Sequence, residues 1–258
     1  MTSGKVAKRK RREVKAPPPA GKRAGVASPR VLVVGTLVIV AILAALVGVV
    51  SLTGKGSDDQ SSTVRLTGTT EVAQLYRGIP QSESTLGHPT APVTLVEYVD
   101  LQCPYCRQFV AETFPTLVQK YVRSGKVRVE LRGLTFVGPD SERGMRAAQA
   151  AAKQNRMFHF VDLLYYNQGA ENSGWLNDDM VKAAANSVSG LDGRQLQSDA
   201  GSGAVSDRLV ADSEHAQRND VTGTPTLFVG PTGGTLTKIE LASPTDLASI
   251  EKAIAGAS

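Results

Sequence analysis

Residues 93–106 read VTLVEYVDLQCPYC, and no other stretch restricts the fold of this chain as strongly. The run from Val93 to Val99 is dominated by β-branched, aromatic and aliphatic residues, the composition of a buried strand. Two cysteines follow as Cys-x-x-Cys, and Pro104, directly after Cys103, is a residue type favoured in the first turn of a helix. A strand that hands over to a helix at Cys-Pro-x-Cys places both sulfurs at a helix N-terminus. There, unpaired N–H groups and the positive end of the dipole stabilise a thiolate. Cys103 and Cys106 are the chain's two cysteines, too few for a disulfide framework. A bond closing so short a loop hardly constrains the unfolded chain, so the pair reads as chemical rather than structural.

The charge is unevenly placed. Residues 1–30 hold ten Lys or Arg against Glu13 alone, so +9 of an overall +5 lies there and the remainder carries −4. The overall positive charge therefore says nothing of a basic active surface on the folded part, and the balance argues against nucleic acid as its partner. Val31 to Leu52 follows without a charged residue, and at about 1.5 Å per helical residue it spans about 33 Å, enough for one transmembrane helix. It exceeds the apolar core of an ordinary signal peptide, and no convincing small-x-small cleavage site follows, so an uncleaved anchor in the lipid bilayer is expected. The basic cluster, interrupted by Pro17, Pro18 and Pro19, reads as a disordered cytoplasmic tail and sends everything after Leu52 outside.

Residues 53–85 are rich in Ser, Thr, Gly and Gln and read as a linker, with a short docking segment at Val72 to Tyr76. After the strand, a helix from near Cys103 buries Val110, Phe114, Leu117, Val118 and Tyr121, and Pro115 predicts a kink near Ala111. Gly125 ends this helix, and Val127 to Leu131 alternates as a second strand. Residues 140–219 form a helical block of four segments, at 145–154, 156–168, 177–188 and 205–218. Two strands, Thr226 to Val229 and Thr237 to Leu241, then flank the turn PTGGT, and a last helix starts at Ser243-Pro244. The order predicts an α/β class with a mixed sheet flanked by helices: residues 86–139 and 220–258 form one domain, and 140–219 are inserted into it.

The strand-turn-helix VTLVEYVDLQCPYC, the helical insertion and VTGTPTLFV near the end, in this order, resemble the DsbA-like branch of the thioredoxin superfamily over Leu86 to Ala255. The resemblance implies a thioredoxin-like fold with an inserted helical domain and an extracytoplasmic thiol-disulfide exchange site. No cofactor is expected beyond the redox-active disulfide Cys103-Cys106. The family's nucleophile maps onto Cys103 at the helix end, and its resolving cysteine onto Cys106, one turn in. A cis-proline opposite the sulfurs maps onto Thr224-Pro225, although an ordinary trans proline at a strand start fits the same residues. In the cis form it would leave the Thr224 backbone edge free to pair with an extended substrate. Glu97 stands where the superfamily often buries an acid, and alternation puts it on one strand face with Val93, Leu95 and Val99. A buried carboxyl there could exchange a proton with Cys106, whereas a solvated or Arg-paired Glu97 would not. Asp100, the rival acid, lies on the other face.

One residue departs from the pattern: Tyr105 stands where the DsbA oxidases often have His. Tyr adds no positive charge beside the thiolate, so Cys103 is expected to be less acidic and the disulfide less oxidising than in those enzymes. Three functions stay open on the sequence. An oxidase would introduce disulfides into exported proteins and be reset by a membrane redox partner. A reductase or isomerase would run the same site in reverse, and a non-catalytic binding or assembly module would use the scaffold alone. Zinc is a poor fit, because one Cys-x-x-Cys with the scattered His88, His159 and His215 makes no set of four ligands. Met157, Phe158, Phe160, Tyr165, Tyr166 and Trp175 read as core of the helical block.

Overall fold

A strand apolar on both faces must lie inside a sheet that is covered on both sides. In a computed structural model, which describes residues 65–257, the strand Val93–Val99 (β3) does so with all seven residues buried. It pairs in parallel with Val127–Gly133 (β4) and antiparallel with Thr226–Pro231 (β5). The sheet is completed by Gln81–Ser82 (β1), Thr85–Leu86 (β2) and Thr237–Ile239 (β6), in the order β1-β2-β4-β3-β5-β6. Val93, Leu95 and Val99 face the larger core, which holds both cysteines, while Val96 and Tyr98 face a smaller one with Leu134, Ala216 and Phe228.

After β3, Pro104–Gln108 (α2) begins a helical stretch that runs to Val122. Pro115 lacks the N–H that Ala111 would need, and its ring would crowd that carbonyl. The turn widens in response: Phe109–Thr113 is π-helical, with the Phe114 N–H bonded to the Phe109 carbonyl five residues back. Phe114–Leu117 (α3) and a second π segment, Val118–Val122, follow, and Gly125 closes the stretch at φ 72°.

Two expectations need correction. The linker expected over 53–85 is too long, because Thr69–Tyr76 (α1) and the β1–β2 hairpin belong to the folded unit. The helix α1 is short and polar, and its reason to form is tertiary. Val72 and Tyr76, four residues apart, are both buried, and the Arg123 guanidinium closes the C-terminal end by donating to the carbonyls of Leu75 (2.7 Å) and Arg77 (2.9 Å). The insertion has five helices rather than four: Pro139–Ala152 (α4), Met157–Tyr166 (α5), Asp178–Ser187 (α6), Gly193–Ala200 (α7) and Gly203–Arg218 (α8). The segment GRQLQSDA gives α7 no apolar period, since Leu196 is its one buried apolar residue besides the half-buried Ala200. An Asp192 cap on the N–H groups of Arg194 and Gln195 starts it.

The last helix, Leu247–Ala257 (α9), begins later than the Ser243-Pro244 signal because Asp246 is the residue whose carboxylate accepts from Ser249 N–H. The expected anchor at 31–52 and basic tail lie outside the described residues. No helix among the described residues is long and apolar enough to cross a membrane.

A fragment beginning at Leu86 is expected to be far less stable than one beginning at Arg65. It loses the buried Val72 and Tyr76, each worth about 1.5 to 3 kcal/mol. Thermal unfolding followed by circular dichroism compares the two, and equal midpoints would contradict the assignment of α1 to the folded unit.

Candidate active site

The hand-over from β3 to α2 is held from several sides. Asp100 is fully buried, and its carboxylate accepts hydrogen bonds from Gln102 N–H (2.9 Å), Ser141 Oγ (2.6 Å) and Val137 N–H (3.1 Å). Donors from the insertion hold the main-chain carbonyls of the same turn. Tyr165 Oη donates to Asp100 O at 3.1 Å, and Gln168 Nε2 donates to Leu101 O and Cys103 O at 2.8 and 3.1 Å. The Gln102 side chain is fixed in turn by Asn172 N–H (2.7 Å) and by Ser141. Asp100 is thus a structural acid, and the helical block builds the turn as much as the sheet does.

This frame sets Cys103 at the N-cap of α2, with extended backbone (φ −69°, ψ 119°), and Cys106 inside the first turn. Cys103 is 6% exposed and Cys106 fully buried. Both are free thiols. The Thr224-Pro225 peptide is cis, and it brings the Thr224 carbonyl within 3.2 Å of Cys103 Sγ, which donates to it. Tyr105, between the cysteines, stands 61% exposed.

The two sulfurs are driven apart electrostatically. The Cys103 thiol is lowered to about 6, first by a hydrogen bond from Cys106, against the cost of its burial, then by Thr224 and by the N–H groups of Cys106 and Tyr105. Cys106 is pushed well above the ordinary thiol range, by burial first and by Cys103 second. As a thiol Cys103 donates to the Thr224 carbonyl; as a thiolate it can only accept. Thr224 Oγ1 is buried with no partner in the thiol form, a donor in reserve for the charged one.

Glu97 lies on the face of β3 that meets the core holding the two cysteines, 2% exposed, and its Oε1 has no hydrogen-bond partner. Burial, and secondly the charge of Asp162, push its carboxyl up to about 8. Sequence reasoning passed over Asp162, although a lone acid within the apolar helix MFHFVDLLYY was a readable signal. It also passed over Gln168 and Asn172, which sit in a Gly- and Asn-containing connection with no pattern to mark them. The aromatic residues of α5 are core as expected, except Tyr166, which is 37% exposed. It lines a cavity of about 230 Å³ beside the active-site stretch with Arg107, Val110, Ala111 and Tyr165.

A thioredoxin family model matches residues 81–240. The chain belongs to the DsbA-like branch of the thioredoxin superfamily. It is 31% identical over 176 residues to the "Probable disulfide bond formation protein D" of Bacillus cereus, covering 67% of this chain and 77% of that protein. Among solved structures, oxidised BdbD from Bacillus subtilis superposes with a TM-score of 0.59 at 22% identity, over 69% of this chain and 96% of that one, a likeness of fold. A thioredoxin-like oxidoreductase from Silicibacter pomeroyi is 29% identical, with a TM-score of 0.51, over 70% and 96%. This DsbA-like chain is a thiol-disulfide oxidoreductase.

Two outcomes follow from the charges at the site. Thr224→Val keeps the side-chain shape and removes the hydroxyl, so Cys103 should titrate about one unit higher than in the parent, the size of one charge-assisted hydrogen bond. Thiolate absorbance against pH reads this, and an unmoved midpoint would rule out the hydroxyl as a donor. Folded Glu97 keeps its proton to about pH 8, whereas an unfolded one releases it near 4.5. The unfolded state therefore binds fewer protons in that window, and the Glu97 contribution lowers stability as pH rises through it. Glu97→Gln should raise the melting temperature more at pH 8 than at pH 5, as scanning calorimetry at the two values would measure.

Proposed function

We propose that this protein is a membrane-anchored, extracytoplasmic oxidase that introduces disulfides into exported proteins through Cys103-Cys106. The observation that carries the direction is the opposed pair of sulfurs: a stabilised Cys103 thiolate favours the reduced dithiol and so makes the disulfide a stronger oxidant. The name of the Bacillus relatives, disulfide bond formation protein D, supports the same direction. Val31 to Leu52, with its basic flank, serves as the anchor in the lipid bilayer and leaves the domain outside.

Cys103 is the nucleophilic position and Cys106 its resolving partner. A substrate thiolate attacks Cys103 Sγ in the disulfide, and the S–S bond breaks with its electron pair leaving on Cys106. The Cys106 thiolate takes a proton from Glu97, whose raised affinity suits a carboxyl that gives and recovers a proton near neutrality. A second substrate thiolate then attacks the substrate sulfur of the mixed disulfide and releases Cys103 as thiolate. The substrate leaves oxidised and the enzyme reduced by two electrons, which a membrane redox partner accepts. An extended substrate pairs with the Thr224 main chain beside Pro225, while Pro104 starts the helix and exposed Tyr105 lies on the rim.

Equilibration of the protein with glutathione buffers tests the direction. The expected potential is less negative than that of thioredoxin, about −270 mV, and a more negative one would favour the reductase reading.

A further inference from the structure

Glu97 is not the only acid sealed into this layer. Asp162, on α5, is 2% exposed, and its Oδ2 accepts a hydrogen bond from the hydroxyl of Tyr76 on α1. Tyr76 packs in the same core cluster as Cys103 and Cys106, onto which Glu97 faces. Neither carboxylate forms an ion pair among the described residues. Two acids buried without a cation form a costly arrangement unless a proton is shared between them. Burial raises Asp162 to about 7, against the lowering effect of the Tyr76 bond, and Asp162 is in turn the charge that acts on Glu97.

Tyr76 also lines a cavity of about 300 Å³ between α1, α5 and the end of α6, where Val72, His159 and Leu163 stand beside exposed Thr69, Arg77 and Ser189. The cavity thus has a polar, solvent-reaching mouth and Tyr76 at its wall. Of the titratable groups, Tyr76 from α1 bonds Asp162, the charge of Asp162 acts on Tyr166 from α5 and on Glu97 from β3, and Tyr165 feels the charges of Glu97, Asp100 and both thiols. Arg77, Arg156 and His159 stand at the cavity, and burial and Arg156 keep His159 neutral, lowered to about 4.

We propose that Asp162 is a second carboxyl for the proton that Cys106 exchanges, shared with Glu97, and that Tyr76 connects the pair to water in this cavity. The inference rests on the reading of Glu97 as the proton partner of Cys106. When Cys106 leaves the disulfide as thiolate it takes the Glu97 proton, and Glu97 takes one from Asp162. Asp162 recovers a proton from the Tyr76 hydroxyl as a cavity water protonates Tyr76. One proton passes from water to Cys106, and the reverse traffic accompanies reoxidation. Asp162 and Tyr76 act through Glu97 and are positioning residues.

The test uses the reduced full-length chain in detergent, mixed with an aromatic disulfide probe. A first phase reports attack by Cys103 and a second reports resolution by Cys106, each followed from pH 5 to 10. Asp162→Asn removes the like charge, so the second-phase midpoint should fall by about one unit. Tyr76→Phe keeps the packing and lets Asp162 hold its proton to higher pH, so the same midpoint should fall by a smaller amount. It should also make the second phase about twofold slower in D₂O, where the parent shows little difference. The first-phase midpoint near 6 should stay in both.

If Asp162→Asn does not fold, Tyr76→Phe carries the test. An unmoved second-phase midpoint, with or without a uniform loss of rate, overturns the inference and leaves both residues structural. Glu97→Gln, run in parallel, separates the two levels. If it removes the second-phase midpoint while the other variants do not shift it, the reading of Glu97 stands and this inference falls. If Glu97→Gln keeps the midpoint, both fall.

Discussion

The site depends on one constraint: the four-residue turn from Asp100 to Cys103 must be held still by groups outside itself. A helix N-terminus stabilises a thiolate only if the sulfur stays on its axis, and a turn left to local forces would not keep it there. The Asp100 carboxylate, with three donors at 2.6 to 3.1 Å, ties the end of β3 to the entry of α4. Tyr165 and Gln168 hold the turn's carbonyls from the other side. The position of Cys103 against Thr224 then follows from β5 lying next to β3 in the sheet.

Within that frame the same low-dielectric surroundings act oppositely on neighbouring groups. Cys103, at the helix end, keeps donors near its sulfur and gains a stable charge. Cys106, one turn deeper, lies among apolar side chains and loses it. Glu97 and Asp162, equally buried, are pushed toward their neutral forms. Three buried groups, one thiol and two carboxyls, are thus held toward their neutral forms beside one thiol held toward its charged form.

How much of this was legible in the sequence depended on how local its cause was. Strand β3 is read to the residue, since its apolar run and the Cys-Pro boundary are contiguous signals. Thr224-Pro225 was identified only through the pattern around it, because nothing in the local sequence couples it to a cysteine 121 positions away. Helix α1 was missed as a full element because its stability comes from Arg123 and from burial of two residues against distant helices, not from propensity. Helix α7 was missed because an Asp cap and one leucine define it. The role of Asp100 was also invisible: its three donors come from Gln102 nearby and from Val137 and Ser141 some forty residues on.

The insertion grips the active-site turn in two ways: Ser141 and Asn172 bond the side chains of Asp100 and Gln102, while other donors hold its main-chain oxygens. Tyr165 and Gln168 bond the carbonyls of Asp100, Leu101 and Cys103, and none of these contacts reads a side chain. None of these bonds, to side chain or main chain, is made to the Tyr105 side chain, which stands 61% exposed. Tyr105 could be exchanged for a charged or smaller residue without loosening the turn, so the redox character of the dithiol can be retuned independently of the architecture that presents it.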